Sequence, residues 1–149
     1  MAMPEYQVRQ ATDADDDFLY RLHVAAMRDL VAQVWGWDDA WQERYFADHF
    51  DPAHSRIITV NGKDVGVVAV EWGAADAFIA NIEILPEYQG LGLGATLIRG
   101  IIAEGETRNL PVRLQVLKVN PARRLYERLG FVITGETATH VLMARLPQS

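Results

Sequence analysis

Cysteine is absent from the sequence, and so is any long apolar run. Without cysteine the chain can form no disulfide, no thiolate metal site and no cysteine nucleophile. No stretch approaches the roughly 18 apolar residues that a membrane-spanning helix needs, and the first residues lack the basic and then apolar pattern of a secretory leader. We therefore expect a cytoplasmic protein that uses no metal and does not associate with a membrane.

Basic residues are also scarce, because 14 Lys and Arg stand against 20 Asp and Glu, for a net charge of −6. This balance argues against nucleic-acid binding as the main role. The chain up to Gly73 carries 13 acidic and 6 basic residues, whereas the remainder carries 7 and 8. An acidic first half would suit a cationic ligand and the second half a phosphate-rich one, although a solvated acidic surface explains the asymmetry as well.

No internal repeat, linker or low-complexity tract divides the chain. Its 149 residues are 50% hydrophobic and 23% charged, as in an ordinary globular protein. A length of this order fits one domain with a substantial core. We therefore expect a single domain over residues 1–149.

The most informative stretch is 81–105, where a strand pattern leads through glycines into a helical pattern. Apolar and polar side chains alternate over residues 81–85, and Pro86 ends this run because it has no N–H to donate. The three alternate glycines of residues 89–94 then leave backbone N–H groups without side-chain cover, just where a helix begins. Such a loop is suited to an anion, above all to phosphate, although a tight turn alone would also explain the glycines.

Two other phosphate-binding loops fit less well. Gly90, Gly92 and Ala95 have the spacing of the dinucleotide fingerprint, which also needs an acidic residue at the end of the next strand. The next predicted strand, Val112–Leu117, contains no acid and is followed by Lys118. A dinucleotide-binding oxidoreductase is therefore the weaker alternative, and no G-x-x-x-x-G-K-[ST] string supports a nucleotide-hydrolysing P-loop.

Two motifs carry a resemblance to a known family. Residues 89–94 read QGLGLG and satisfy the pattern Q/R-x-x-G-x-G/A, and residues 120–131 read NPARRLYERLGF. With both motifs in this order and at this separation, the sequence resembles the GNAT superfamily of acyl-CoA-dependent N-acetyltransferases. The resemblance implies direct transfer of an acetyl group from acetyl-CoA to a primary amine in a ternary complex, without an acyl-enzyme.

The fold that the resemblance implies is α/β (α+β). It has a mixed central sheet of about six to seven strands, flanked by about four helices, with two splayed parallel strands forming the coenzyme A cleft. The residues agree with this order of elements, since Asn61-Gly62 is a strong hairpin signal between two β-rich runs. The helix that separates residues 81–85 from Val112–Leu117 also predicts that these two strands are parallel.

The resemblance assigns acetyl-CoA to three parts of the chain. The glycine loop would hold the pyrophosphate, and the end of the central strand would pair with the pantetheine arm and offer an N–H to the developing oxyanion. Asn120 would lie beside the pantetheine, although it is equally well suited to cap the last helix. The predicted cofactor-binding residues are Ile84, Leu85, Gln89, Gly90, Leu91, Gly92, Leu93, Gly94 and Asn120.

Tyr126 is the residue that the resemblance assigns as general acid. A phenol, with a reference pKa of about 10, can protonate a departing thiolate, whose conjugate thiol has a reference pKa of about 8.5. Pro121 fits the first position of this last helix, and Leu125 and Leu129 are predicted to face inward. An ordinary aromatic residue of an amphipathic helix is the alternative for Tyr126.

Glu83 is the predicted general base or acceptor-binding group, because it is the only carboxylate in the central strand. Alternation places it on the same face as Asn81. Some members of the family carry a glutamate on the next parallel strand, but Gln115 is found there and cannot act as a base. Deprotonation through water is the alternative, and Glu83 would then only partner a buried polar group.

The acceptor side is predicted from four residues. By the resemblance, the segment after the first helix lines the acceptor pocket, which makes Trp35 and Trp37 candidates unless they simply pack under the sheet. Asn81 and His140 could face the same cleft. The sequence leaves open whether the acceptor is a small-molecule amine, weakly favoured as cationic, or a protein amine. It also leaves open the acyl chain, a homodimer through exposed strand edges, and a coenzyme A-binding module without catalysis.

Overall fold

The computed structural model describes residues 3–148, which contain a mixed sheet of seven strands and four α-helices. The strands are β1 (Gln7–Gln10), β2 (Ser55–Val60), β3 (Lys63–Trp72), β4 (Ala77–Ile84), β5 (Val112–Leu117), β6 (Val132–Glu136) and β7 (His140–Arg145). The helices are α1 (Asp16–Trp35), α2 (Asp39–His49), α3 (Leu93–Thr107) and α4 (Arg123–Arg128). The strand order is β1-β2-β3-β4-β5-β7-β6, so the predicted fold class is confirmed. None of the helices within 3–148 has the length and apolar character needed to cross a membrane.

The described chain forms two compact units. The first runs up to Ala69 and includes Asn81–Leu91, and the second consists of Val70–Ala80 and the chain from Gly92 onward. In the first unit, β2 pairs antiparallel with both β1 and β3. Asn61 and Gly62 connect β2 to β3 with φ angles of 52° and 77°, which is the positive-φ hairpin turn that their sequence predicts.

Apolar side chains of α1 and of the first strands form the core of the first unit. The buried members are Ala11, Leu19, Leu22, Ile57 and Val67, and Phe18, Phe46, Phe50 and Leu85 pack against them. Burial at about 25 cal/mol per Å² of apolar surface makes this cluster the main force that holds α1 on the sheet. The inward face of α1 is thereby fixed, and with it every side chain on that face.

Local caps determine where α1 and α2 begin and end. Thr12 and Asp15 form a capping box in the short 3-10 turn that leads into α1. Gly36, at a φ of 76°, follows the last residue of α1. Asp38 then accepts a hydrogen bond from the N–H of Trp41 at 3.0 Å and caps α2. The starts of both helices and the end of α1 are therefore set by residues close to them in sequence.

The second unit contains the first part of β4 and the elements from α3 to β7. β4 pairs in parallel with β5, with Ala77 opposite Val112 and Phe78 opposite Arg113, so the predicted parallel pair is confirmed. β7 lies antiparallel between β5 and β6. α3 approaches β5 so closely that a Cβ added at Gly105 would lie 3.0 Å from Cγ2 of Val112.

Candidate active site

The loop of residues 89–94 joins the end of β4 to α3 through backbone angles that favour glycine. Gly90 has a φ of 76°, and Gly92, which immediately precedes α3, has a φ of 92°. A Cβ added at Gly90 would meet no atom within 4 Å, so the loop surface there is open. The first N–H groups of a helix have no internal partner and carry partial positive charge. The loop therefore fits a phosphate group.

Gln89 has a structural contact that the sequence did not reveal. Its Nε2 donates a hydrogen bond to the carbonyl oxygen of Ile84 at 2.8 Å. This bond ties the beginning of the glycine loop to the last residue of β4. The Gln89 side chain therefore positions the loop, and the phosphate contacts expected of this region come from its backbone.

The backbone N–H groups of Ile84 and Leu85, at the end of β4, are the two predicted donors to the oxyanion, and they differ in their contacts. The N–H of Leu85 donates to the carbonyl oxygen of Val65 on β3 at 2.8 Å, so it is already engaged. The neighbouring strand is very close, because a Cβ added at Gly66 would lie 2.8 Å from the carbonyl oxygen of Glu83. Successive N–H groups along a strand point in opposite directions. The N–H of Ile84 therefore points away from β3 and is the candidate oxyanion donor.

Glu83 is buried in the first unit, with 7% of its surface exposed. Its Oε1 accepts a hydrogen bond from Nδ2 of Asn81 at 3.3 Å, as the alternation along the strand predicts. Its Oε2 lies 3.0 Å from Nδ1 of His23, which belongs to α1. Glu83 is thus held from two sides, and an uncompensated charge at this depth would be costly.

His23 connects Glu83 to α2. Its Nε2 lies 3.2 Å from Oε1 of Gln42, whose side chain is buried at 7% exposure. The indole ring of Trp37 lies beside the imidazole, with the ring centroids 5.9 Å apart. Burial by itself would lower the pKa of His23, but the hydrogen bond and charge of Glu83, aided by Gln42, outweigh it and raise the pKa above its usual value.

Neither His23 nor Gln42 was predicted from the sequence. His23 follows Leu22 and lies one helical turn after Leu19, so it falls on the inward face of α1. A polar residue on that apolar face was the available signal for His23. The sequence contained no such signal for Gln42, because α2 is polar over most of its surface and only the fold shows which face is covered.

The two candidate tryptophans occupy different surroundings. Trp35 is the last residue of α1 and is exposed. Trp37 is half-buried, donates its indole N–H to Oδ1 of Asp39 at 2.7 Å, and lies beside His23. The guanidinium of Arg28 lies 5.8 Å from the centre of the Trp37 ring. Trp37 is therefore the tryptophan that joins the Glu83 cluster.

Tyr126 is buried in the second unit, with 8% of its surface exposed. Its ring meets that of Phe131 edge-on, with centroids 6.0 Å apart. Burial raises the pKa of the phenol, which keeps it protonated at neutral pH. Leu125 and Leu129, predicted to face inward, are half-buried and lie on the same side of the helix as Tyr126. The helix begins at Arg123 rather than at the predicted Pro121, and Tyr126 is its buried residue.

Asn120 and His140 also belong to the second unit. Oδ1 of Asn120 accepts a hydrogen bond from the N–H of Ala122 at 2.9 Å, which caps the turn that precedes α4. His140 begins β7 opposite Leu117 of β5, and its Nδ1 lies 2.8 Å from the hydroxyl of Thr139. Both side chains thus have local roles beside their predicted functional ones.

Part of the predicted site forms one cluster within the first unit. The cluster centred on Glu83, with Asn81, Trp37 and the unpredicted His23 and Gln42, lies in the first unit together with Ile84, Leu85 and Gln89. Tyr126, Asn120 and His140 lie in the second unit. Within residues 3–148, no group of three or more His, Cys, Asp and Glu side chains is arranged to hold a metal ion.

A model of the acetyltransferase (GNAT) family matches residues 17–131, which is most of the chain. The chain belongs to this family. The two motifs from which the resemblance was inferred therefore identified it correctly. The central strand, the glycine loop, α3 and Tyr126 all lie inside the matched region.

Two curated relatives from the GNAT family show how far the similarity extends. The chain is 34% identical over 94 residues to the ribosomal protein bS18-alanine N-acetyltransferase of Escherichia coli, covering 61% of this chain and 64% of that protein. It is 42% identical over 65 residues to the 5-NmdU N-acetyltransferase of Pseudomonas phage PaMx11, covering 43% of this chain and 45% of that protein. The chain thus spans less than two thirds of the length of either relative.

A GNAT structure solved with coenzyme A has the same fold. The PaiA N-acetyltransferase of Thermoplasma acidophilum in complex with coenzyme A matches with a TM-score of 0.79 and 14% sequence identity. The match covers 95% of this chain and 99% of that one. At this identity the similarity establishes the fold alone.

Proposed function

We propose that this GNAT protein, acting as one domain over residues 1–149, transfers an acetyl group from acetyl-CoA directly to a primary amine. The observation that carries the proposal is the loop of residues 89–94. Gly90 and Gly92 adopt positive φ angles directly before α3, and the space over Gly90 is open. Backbone N–H groups at the start of α3 are suited to the pyrophosphate of coenzyme A.

Bound acetyl-CoA would supply the thioester carbonyl, and the protein would supply charge stabilisation and proton transfer. The N–H of Ile84 is the donor proposed for the carbonyl oxygen as negative charge develops on it. Tyr126 is the proposed general acid for the departing thiolate, a role supported by the burial that keeps its phenol protonated. Asn120 is the proposed neighbour of the pantetheine arm.

Glu83 is the proposed general base. An amine must lose a proton before its lone pair can attack the thioester, and Glu83 is a buried carboxylate held in place by hydrogen bonds. A group held within a low-dielectric site is suited to accept such a proton. Trp37 and Asn81, which lie beside the same cluster, are the side chains proposed to contact the acceptor.

Two observations favour different acceptor amines. The Escherichia coli relative is named for an alanine of a ribosomal protein, which supports a protein amino terminus as acceptor. Such an acceptor would agree with the predicted cytoplasmic location. The excess of acidic residues up to Gly73 supports a small cationic amine. A panel of alanine-starting peptides, free amino acids and polyamines, each assayed for thiol release from acetyl-CoA, separates these two classes.

The Tyr126→Phe variant tests the proposed chemistry. Loss of the phenolic proton should lower kcat by about 10²-fold or more with an active amine, because general acid catalysis contributes on the order of 10²–10⁴-fold. Coenzyme A binding, measured by calorimetry, should persist. Tyr45→Phe, at an exposed tyrosine on α2, is the matched control and should retain full activity. If the parent protein binds coenzyme A but no amine accelerates thiol release, the protein is a binding module and the proposal fails.

A further inference from the structure

We propose that His23 completes a proton-accepting pair with Glu83, in which Gln42 fixes the tautomer of the imidazole and His23 conducts the proton to solvent. The inference rests on the proposed function, because it concerns the base that deprotonates the acceptor amine. It assigns a role to two residues outside both sequence motifs. Three contacts within one unit carry it: Glu83 with His23, His23 with Gln42, and Glu83 with Asn81.

The hydrogen bonds determine where the protons reside. With Oε1 of Gln42 directed at the ring, Nε2 of His23 is the donor in this contact. In the neutral ring, Nδ1 then has a lone pair that faces Oε2 of Glu83 at 3.0 Å. A lone pair facing a carboxylate is unfavourable unless a proton lies between them. The pair therefore has a high affinity for one proton, in line with the raised pKa of His23.

The difference in exposure between Glu83 and His23 gives the direction in which a proton would move. The side chain of Glu83 is 6% exposed and that of His23 is 25% exposed. Glu83 is thus shielded from bulk water, whereas the imidazole reaches it. A proton that arrives on Glu83 can move to Nδ1 of His23 along the 3.0 Å contact and then leave to solvent.

The proton count of this step is simple. The acceptor ammonium gives one proton to the carboxylate of Glu83 and becomes a neutral amine. The proton moves to Nδ1 of His23, which becomes an imidazolium with hydrogens on both nitrogens. Loss of that proton to water restores the neutral ring with its hydrogen on Nε2, still donated to Gln42. No bond other than those to hydrogen changes.

The charged groups around the imidazole are few in the part of the chain that the structure describes. Glu83 on β4 is the titratable group in direct contact with it. Gln42 on α2 and the indole of Trp37 are neutral. Arg28 on α1 lies over the Trp37 ring, and its fixed positive charge would oppose protonation of His23. Glu83 is therefore the group whose removal should change the titration most.

The first test needs no turnover. The imidazole C–H signals of the parent protein and of Glu83→Gln are followed by NMR across pH, and the His23 signal is assigned by its loss in His23→Asn. The midpoint for His23 is expected to shift to lower pH in Glu83→Gln. An unchanged midpoint would overturn the proposal, whether or not an acceptor amine is known.

The second test uses the pH dependence of kcat with one active amine at saturation. In His23→Asn the imidazole no longer titrates, so the acidic limb should move to lower pH and the plateau should fall about tenfold. Gln42→Glu adds a second negative charge beside the imidazole and should move the limb to higher pH. His54→Asn, at an exposed histidine, is the matched control and should superpose on the parent.

Movement of the acidic limb and the fall of the plateau together show whether His23 takes part in proton transfer or only supports the fold. A plateau that falls in His23→Asn with no movement of the acidic limb would mean that His23 only supports the fold, and the proposal would be overturned. Coenzyme A binding by each variant reports that it is folded. If the parent turns over no amine, the proposed function fails, while the NMR titration still decides whether Glu83 and His23 act as a pair.

Discussion

Two histidine–carboxylate pairs lie in the first unit of this protein. They contain the same chemical groups but differ in sequence separation, contact distance and exposure. His54 and Asp51 are three residues apart, their contact is 2.6 Å, and their side chains are 55% and 51% exposed. His23 and Glu83 are 60 residues apart, their contact is 3.0 Å, and their side chains are 25% and 6% exposed. The shorter contact is thus the one at the surface.

The contact distance alone does not show which pair contributes more free energy, because water competes for the charged groups at the surface. An exposed ion pair gains about 0–1 kcal/mol, since both partners are well solvated when they separate. A buried carboxylate has no such alternative, and removing its partner leaves a charge that the protein must stabilise some other way. We therefore expect the loss of one partner to cost more in the His23–Glu83 pair than in the surface pair.

The largest expected difference concerns activity. Glu83→Gln should lower kcat/KM by about 10²–10⁴-fold, because it removes the group that accepts the amine proton. Asp51→Asn makes the same chemical change in the exposed pair and should leave the rate unchanged. Thiol release from acetyl-CoA at neutral pH measures both. Equal rates for the two variants would remove the functional contrast between the pairs.

The pH dependence of stability should give the next largest difference. The raised pKa of His23 means that its pairing with Glu83 stabilises the fold fully below the unfolded-state value of about 6.5, and that this contribution is lost as the pH rises through the folded-state pKa. At about pH 5.5, His23→Asn should unfold with about 1–3 kcal/mol less free energy than the parent. The deficit should shrink as the pH rises.

Urea denaturation across this pH range measures the effect. His54→Asn should differ from the parent by no more than about 0.5 kcal/mol at any pH, as expected of a surface substitution. A deficit for His23→Asn that grows with pH would have the wrong sign and would exclude the raised pKa as its cause.

The backbone geometry of the glycine loop could be predicted because its determinants are consecutive in sequence. Gly90 and Gly92 lie two residues apart, and their backbone angles and the start of α3 follow from local chemistry. The Asn61-Gly62 turn is equally local, and it was predicted correctly. Where a few neighbouring residues determine a structure, the sequence is sufficient.

The Glu83 cluster could be predicted only in part, because its members come from three separate elements. Glu83 was singled out as the only carboxylate of its strand, but its partners His23 and Gln42 lie 60 and 41 residues earlier in the chain. Their meeting depends on how α1 and α2 are rotated against the sheet. The start of α4 was also missed, because the helix begins at Arg123 rather than at Pro121.

Gln42→Leu should produce the smallest effect on kcat/KM. It would leave the buried histidine paired with its carboxylate alone, as in the exposed pair. Leucine keeps an apolar volume of similar size but offers no acceptor to Nε2 of His23. The ring is then free to place its hydrogen on Nδ1 and donate it to Glu83, so Nδ1 no longer has a lone pair to receive the amine proton. Loss of one hydrogen bond, worth about 1 kcal/mol, should lower kcat/KM about fivefold. The ¹⁵N shifts of the His23 ring would report the change of tautomer, and an unchanged tautomer together with a lower rate would mean that Gln42 acts through packing alone.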